Sequence, residues 1–371
     1  MSDTPPLAPE PLPSSPPPSE PEPEPVVGRL GMAVVVALPL HALALWLLTF
    51  APGPVEAVYG QGVFPLLSAL WALLDQTPAS PAISLVIGLL AGLVVHARGQ
   101  AKPVRTFLWR LIVALALLGH LFPICWGLNY WRPSIPQRKG LDLSDPPRAA
   151  LEQSAGLICA ATNRARVEWT ELTRAELEER VDAAVRAFLA AEGLDEGLSS
   201  LRRPVRRMPA GLFLTGGWTG ICLPWTTESW VDPGVDPRVL PVTMAHEKAH
   251  QAGFARESDC DLVAFLALVR SEDPQLRYAA LFDVSALFGH HSPVGLSAEV
   301  LADHGVAAKR VEEVKIEVVQ QATRAVYHTY LQVNAVQPGI DDYEWVERLI
   351  HAWLVKFPAE KERLQRIAAG S

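Results

Sequence analysis

Cysteine is scarce in this chain. Four residues, Cys125, Cys159, Cys222 and Cys260, are spread over 371 positions, and no two form a CxxC pair. That excludes a cysteine zinc knuckle and a dithiol redox motif. Charge is scarce too. Only 19% of the residues are charged against 49% hydrophobic, a balance too apolar for an ordinary water-soluble protein of this length. The net charge of −8 leaves no basic surface for nucleic acid. A basic segment ahead of a short apolar run, the mark of a signal peptide, is missing from the start. There is no internal repeat.

What is present begins with a tail. Residues 1–27 are dominated by Pro, Ser and Glu ("PPLAPEPLPSSPPPSEPEPEP") and offer almost nothing to bury. They read as a disordered segment with polyproline character: a solvated spacer, or a segment that recruits a partner.

Three apolar runs follow, at 30–50, 79–96 and 107–128, and the core of each lacks formal charge. A helix needs about 20 apolar residues to cross a bilayer, so each qualifies as a span. Between the first two lies "FPLLSALWALL" (64–74), too short to cross and read as an interfacial helix. Trp126, Tyr130 and Trp131 end the third run as an aromatic belt would. The loop between the second and third runs carries Arg98, Lys102, Arg105 and Arg110, whereas the loop between the first and second carries no Lys or Arg. The positive-inside rule then predicts a multi-pass inner (plasma) membrane protein with a cytoplasmic N-terminus and everything after Tyr130 outside. Arg132, Arg138 and Lys139 run against that orientation.

From about 145 to 357 the chain reads as a water-soluble domain, with 358–371 as a tail. Residues 149–191 predict two helices split near Trp169. Residues 211–229, rich in glycine, aromatic and β-branched residues, predict one or two short strands. Asp236 and Pro237 open a helix that Gly253 closes, and a second runs from about Arg256 to Ser271. A helical pair (280–305), a long helix (307–335) and a last one at "YEWVERLIHAWLVKF" complete the expectation. The fold class is mainly α, with a three-helix transmembrane region and an α-rich domain carrying a small β element.

The stretch "MAHEKAHQAGFARESDCD" (244–261) carries the chemistry. Residues four apart share one face of a helix, so His246 and His250 can aim at one point. Zinc takes nitrogen ligands at about 2.0–2.1 Å in a tetrahedral set. Glu247 lies about 100° round the helix from His246, beside a metal rather than bound to it. That is the place of a general base acting on a metal-activated water. Glu257 is the candidate third ligand, because Gly253 permits a sharp turn that returns the next helix to the histidines; Asp261 and Asp259 are the alternatives. Asp261 also suits a role behind a ligand histidine. Arg256 is all donor and cannot ligate. A helix with His, Glu and Lys also serves as an exposed polar face, but the apolar run "RVLPVTMA" ahead of it predicts burial.

Other candidates surround this stretch. "TGICLPW" could pair with an extended substrate as an edge strand, or be a core strand of a small sheet. Glu228 follows it as a further contact candidate. Tyr278 and Arg277 could stabilise an oxyanion. His290 and His291 form a loop pair, and His41 and His120 sit within apolar runs.

Five stretches carry a resemblance: "PVEAVYGQGVFPLLSALW" (54–71), "WGLNYWRP" (126–133), "GICLPWTTES" (220–229), "LPVTMAHEKAHQAGFARE" (240–257) and "TYLQVNAVQPGIDDY" (329–343). In this order they resemble an uncharacterised family of bacterial multi-pass membrane proteins, a domain of unknown function with an HExxH helix followed by an acidic helix. Residues 246–261 also resemble glutamate-type zincins, which implies His246, His250 and Glu257 as ligands of one Zn2+ per chain and Glu247 as base. The sequence departs from the membrane family at "ESDCD", where Asp261 replaces an amide. It departs from many glutamate zincins in its shorter spacing from His250 to Glu257. Arg256 stands where metzincins place their third ligand, which excludes that likeness.

Two functions are expected from this reading. The first is a membrane-anchored zinc-dependent metallopeptidase whose substrate is a peptide or a membrane or envelope protein. The alternative is a metal-bound, non-catalytic membrane sensor or scaffold using the Pro-rich tail for capture.

Overall fold

The computed structural model describes residues 26–48, 50–195, 203–333 and 343–370. The expectation for the Pro-rich tail therefore lies almost wholly outside the described residues. The apolar runs form helices: α1 (Val26–Leu48), α2 (Pro52–Leu74), α3 (Pro81–Arg98) and α4 (Pro103–Cys125). All four are long and apolar enough to cross a membrane. The helix expected over 64–74 is therefore longer than its sequence suggests. The helix extends back through a π-helical stretch, Val55–Val63, ahead of the apolar run. Gly60 has a packing reason: a Cβ there would meet Arg132 Nε at 2.7 Å.

On α1 and α4, Gly31 faces Trp109 and Val113, Leu38 faces Gly119, and His41 stacks on His120. The two therefore run in the same direction. The His41 and His120 Nδ1 atoms lie 2.5 Å apart, so this pair between two apolar helices is satisfied internally. The C-terminal end of α4 and the N-terminal end of α3 both abut the soluble domain. Glu228 Oε2 accepts from the Ala82 backbone N–H at 2.6 Å and from Ser80 Oγ at 3.2 Å, capping α3.

α2 is held differently. Glu56, in its first turns, pairs with Arg132 and Arg138 at 2.8 and 2.9 Å. Asp75, just past its end, pairs with Arg203 at 2.7 Å and Arg206 at 3.4 Å. Both ends are thus tied to the soluble domain. Its Val55, Tyr59, Phe64, Ser68 and Ala72 are buried, while Val58, Leu66, Leu70 and Leu73 are exposed.

The domain beyond adds α5 (Ile135–Lys139), α6 (Arg148–Ala165) and α7 (Arg174–Ala191). A three-stranded sheet follows: β1 (Val205–Arg207), β2 (Gly220–Leu223) and β3 (Glu228–Val231). The order is β1-β3-β2, with β1 parallel and β2 antiparallel to β3. β2 is therefore an edge strand. β1 is too short to show alternation in sequence. Residues 211–219 form turns rather than strand, because Asp232 accepts from the backbone N–H groups of Gly211, Phe213 and Leu214.

The helices after the sheet are α8 (Leu240–Gln251), α9 (Glu257–Val269), α10 (Pro274–Phe288), α11 (Ala298–Val314), α12 (Glu317–Val333), α13 (Tyr343–Lys356) and α14 (Pro358–Ala369). α8 and α9 sit at the centre of the core, with Met244, Ala245, Ala249, Leu262, Phe265 and Leu268 fully buried. The long helix expected at 307–335 is broken between Val314 and Glu317. Residues 358–370 are not a tail. α14 buries Leu364, and Glu360 pairs with Arg270 at 3.0 Å. Its apolar side is only Leu364, Ile367 and Ala368, too thin a stripe to stand out in sequence.

Candidate metal centre

The site is built on the turn between α8 and α9. Gly253 has φ +92°, and a Cβ there would meet Phe64 at 2.6 Å and Arg132 at 2.8 Å, so only glycine closes α8 here. The sharp turn brings Glu257, the first residue of α9, back over the histidines. His246 Nε2 lies 3.1 Å from His250 Nε2 and 3.0 Å from Glu257 Oε2. His250 Nε2 lies 3.5 Å from the same carboxylate oxygen.

The other nitrogen of each ring is engaged. His250 Nδ1 donates to the Phe254 carbonyl at 2.8 Å, since a carbonyl can only accept. His246 Nδ1 lies 2.7 Å from Asp261 Oδ1, placing its proton toward that carboxylate. Both rings therefore present Nε2 to the common point.

Electrostatics follow from burial. Burial opposes a charge on His246, but Asp261 and Glu257 hold its pKa well above the ordinary value. Burial opposes ionisation of Glu257 as well, yet His250 and His246 hold it well below the ordinary range. Glu247 is the reverse case: burial pushes its carboxyl up to about 7, against the pull of the two histidines. Its Oε2 is buried with no hydrogen-bond partner. The β2 backbone presses on the other oxygen: a Cβ on Gly220 would lie 2.5 Å from Glu247 Oε1. Ser229 Oγ donates to the Glu247 carbonyl at 3.0 Å, fixing α8 against β3.

His246, His250 and Cys260 offer ligand atoms within 4.8 Å of one another, a group able to hold a metal ion. Cys260 Sγ lies 3.2 Å from His250 Nδ1 and donates to the Phe254 carbonyl. It thus sits behind the His250 ring, at the nitrogen facing away from His246. Burial and the neighbouring carboxylates hold its thiol well above the ordinary range, so it is not a ready thiolate.

The N-terminal apolar helices supply one wall. Trp126, at the end of α4, meets the His250 ring edge-on at 5.8 Å. Val55, Tyr59, Phe64, Trp126, Tyr130 and Ala255 form a buried cluster there, with Cys222 against it.

The sequence-predicted residues separate into two groups. His246, Glu247, His250, Glu257 and Asp261 come together. Asp259 does not join them; its Oδ2 accepts from Ile135 N at 3.2 Å. Glu228 caps α3 and pairs with Arg206 at 2.8 Å. Tyr278 is fully buried and donates to Asp303 at 2.6 Å, in a separate cluster with Arg166. Arg277 donates to the carbonyls of Ser271 and Glu272 at the end of α9. His291 pairs with Glu347 at 3.3 Å. Asp283 is the acidic neighbour that the sequence did not reveal: burial and Asp261 push its carboxyl up to about 7, and His246 opposes this. On α10, well away in sequence, it has no motif to mark it.

Architecture and site define a mainly α protein with helices suited to a membrane and a buried cluster able to hold a metal. The chain belongs to the family described as "Protein of unknown function (DUF3810)", which it matches over residues 62–351. No curated protein and no solved structure matches it.

Proposed function

We propose that the chain is a membrane-anchored zinc-dependent metallopeptidase. One observation carries the reading: His246 Nε2, His250 Nε2 and Glu257 Oε2 stand 3.0–3.5 Å apart, beside a buried Glu247 oxygen with no partner. Three atoms bound at about 2.0–2.1 Å in a tetrahedral set would lie about 3.3 Å apart, so the donors fit one zinc ion. Two imidazoles and a carboxylate, with the fourth position open, suit a catalytic rather than a closed structural site. Glu257 rather than Cys260 completes the set, because the His250 ring stands between the thiol and the common point. When bound, the ion supplies Lewis acidity that polarises a carbonyl and activates water at neutral pH.

The chain's own residues do the rest. Asp261 holds the His246 ring by Nδ1, and the Phe254 carbonyl does the same for His250. Glu247 takes a proton from the attacking water and passes it to the departing amine. The step is hydrolysis: the water oxygen bonds to the carbonyl carbon, the C–N bond breaks, and acid and amine result. The outer edge of β2, which pairs with no strand among the described residues, passes the Glu247 carboxylate at Gly220 and suits an extended substrate.

For placement, we read α1, α3 and α4 as crossing the bilayer and α2 as lying along its surface. A span needs its ends about 30 Å apart along the bilayer normal, whereas both ends of α2 pair with the same soluble domain. Arg98, Lys102 and Arg105 cluster at the opposite ends of α3 and α4, and Arg132 and Arg138 on the site side share Glu56. The positive-inside rule then favours a plasma-membrane protein with a cytoplasmic N-terminus and an extracytoplasmic site.

The test is cleavage of a broad peptide library by detergent-purified wild type and Glu247→Gln. Cleavage by wild type, reduced about 100-fold or more in the variant, supports the reading. Equal cleavage by both defeats it.

A further inference from the structure

The path by which a chain could reach Glu247 runs along β2, and β2 leads into the membrane region. Its first residue, Gly220, sits on the Glu247 carboxylate. Its inner edge pairs with β3, and no strand among the described residues pairs with its outer edge. Beyond its last residue, Leu223, the turn to β3 packs against the apolar helix α4. Trp225 Nε1 donates to the Leu118 carbonyl at 3.0 Å, and its ring meets Phe122 at 6.1 Å. Leu118 lies inside the apolar run of α4, about 10 Å from the end of the helix at a rise of 1.5 Å per residue. After the turn, Glu228 caps the first residues of α3. Trp126, which ends α4, stands against His250 itself.

We infer that the substrate is the juxtamembrane stretch of a polypeptide anchored in the same bilayer, paired in extended form with the outer edge of β2. The inference rests on the peptidase reading of the site. A four-residue strand spans about 13 Å. A chain paired along it therefore runs from the reacting position at Gly220 to the lipid beside Leu118 and Phe122. A bilayer anchor places such a chain at the groove at high effective concentration, whereas a free peptide must be captured by backbone pairing alone. The exposed apolar residues of α2, Leu66, Leu70 and Leu73, add apolar surface suited to lipid. Specificity then comes from distance to the bilayer more than from side-chain pockets.

The experiment uses the full chain, zinc-loaded, in nanodiscs of phosphatidylethanolamine and phosphatidylglycerol. One randomised peptide library is supplied free in solution. The same library is supplied fused to a single Leu/Ala transmembrane helix in the same discs, and mass spectrometry maps the cuts. The anchored library is expected to be cut at least about 100-fold faster at equal bulk concentration, with cuts clustered within about one strand length, 13 Å, of the anchor. Equal rates for the two libraries, or cuts scattered far from the anchor, overturn the inference and leave the peptidase reading standing. Cleavage of neither library by fully loaded protein overturns the peptidase reading, and the inference with it.

Discussion

Gly220 lies directly on the carboxylate of Glu247: a Cβ at position 220 would stand 2.5 Å from Oε1 and 3.0 Å from the carboxyl carbon. The glycine leaves room for a buried acid whose second oxygen is unpartnered. Gly220→Ala is expected to fold and to retain metal, since the three atoms nearest the new methyl all belong to Glu247 rather than to His246, His250 or Glu257. It is expected to displace the base and lower peptide hydrolysis by about 100-fold or more. Paired measurement of metal content and turnover checks this. Metal loss together with activity would mean that the glycine supports the ligands instead.

Glu247 also sets a pH dependence of stability in the metal-free protein. Its folded pKa, about 7, lies above the ordinary 4.5. The folded state holds the proton more tightly, so stability is full below about 4.5, falls as pH rises through 7, and is flat above. A shift of that size corresponds to about 3 kcal/mol. Glu247→Gln removes the titration. The variant should match wild type near pH 4 and exceed it above pH 8 by up to about that amount. Chemical denaturation of chelator-treated protein at the two pH values is the check.

Asp261 acts through His246 rather than on a substrate. Asp261→Ala is expected to weaken metal retention by about 10–100-fold. Asp261→Asn keeps an acceptor oxygen at the same place and should recover most of it. Competition against a chelating dye reads both affinities. Equal loss in the two variants would make the negative charge, not the hydrogen bond to Nδ1, the important feature.

The tie between α2 and the soluble domain is an ion pair in the interior. Arg203 and Asp75 expose 3% and 1% of their side chains, and Arg203 also reaches the Thr226 carbonyl at 2.8 Å and the Thr227 hydroxyl. Asp75→Ala leaves a buried guanidinium without its carboxylate and should cost about 3–5 kcal/mol. Thermal unfolding in detergent measures it. The exposed pair Arg148–Glu152 is the control, where Glu152→Ala should change stability by less than about 0.5 kcal/mol.

Much of the site was legible because its geometry is local. The i, i+4 spacing of His246 and His250, the turn at Gly253 and the return of Glu257 and Asp261 all lie within 16 residues of sequence. The apolar runs were legible because helices apolar on every side are marked by composition alone, without periodicity. What failed depended on distant partners. Glu228, Tyr278 and Arg277 have side chains suited to a site, but α3, Asp303 and the end of α9 claim them. Asp283 and Trp126 belong to the site by tertiary packing alone. The extent of α2 was hidden because the apolar run 64–74 is short by itself, whereas the helix continues back through Val55–Val63, where Gly60 makes room for Arg132.

The most direct test of the account is the metal content of the purified full chain by plasma mass spectrometry. Wild type, His250→Ala and Glu257→Ala are compared after identical dialysis. The account predicts about one zinc per chain in wild type and loss in both variants, with each variant still folded by circular dichroism. Absence of metal from wild type, or full retention in Glu257→Ala, would contradict it.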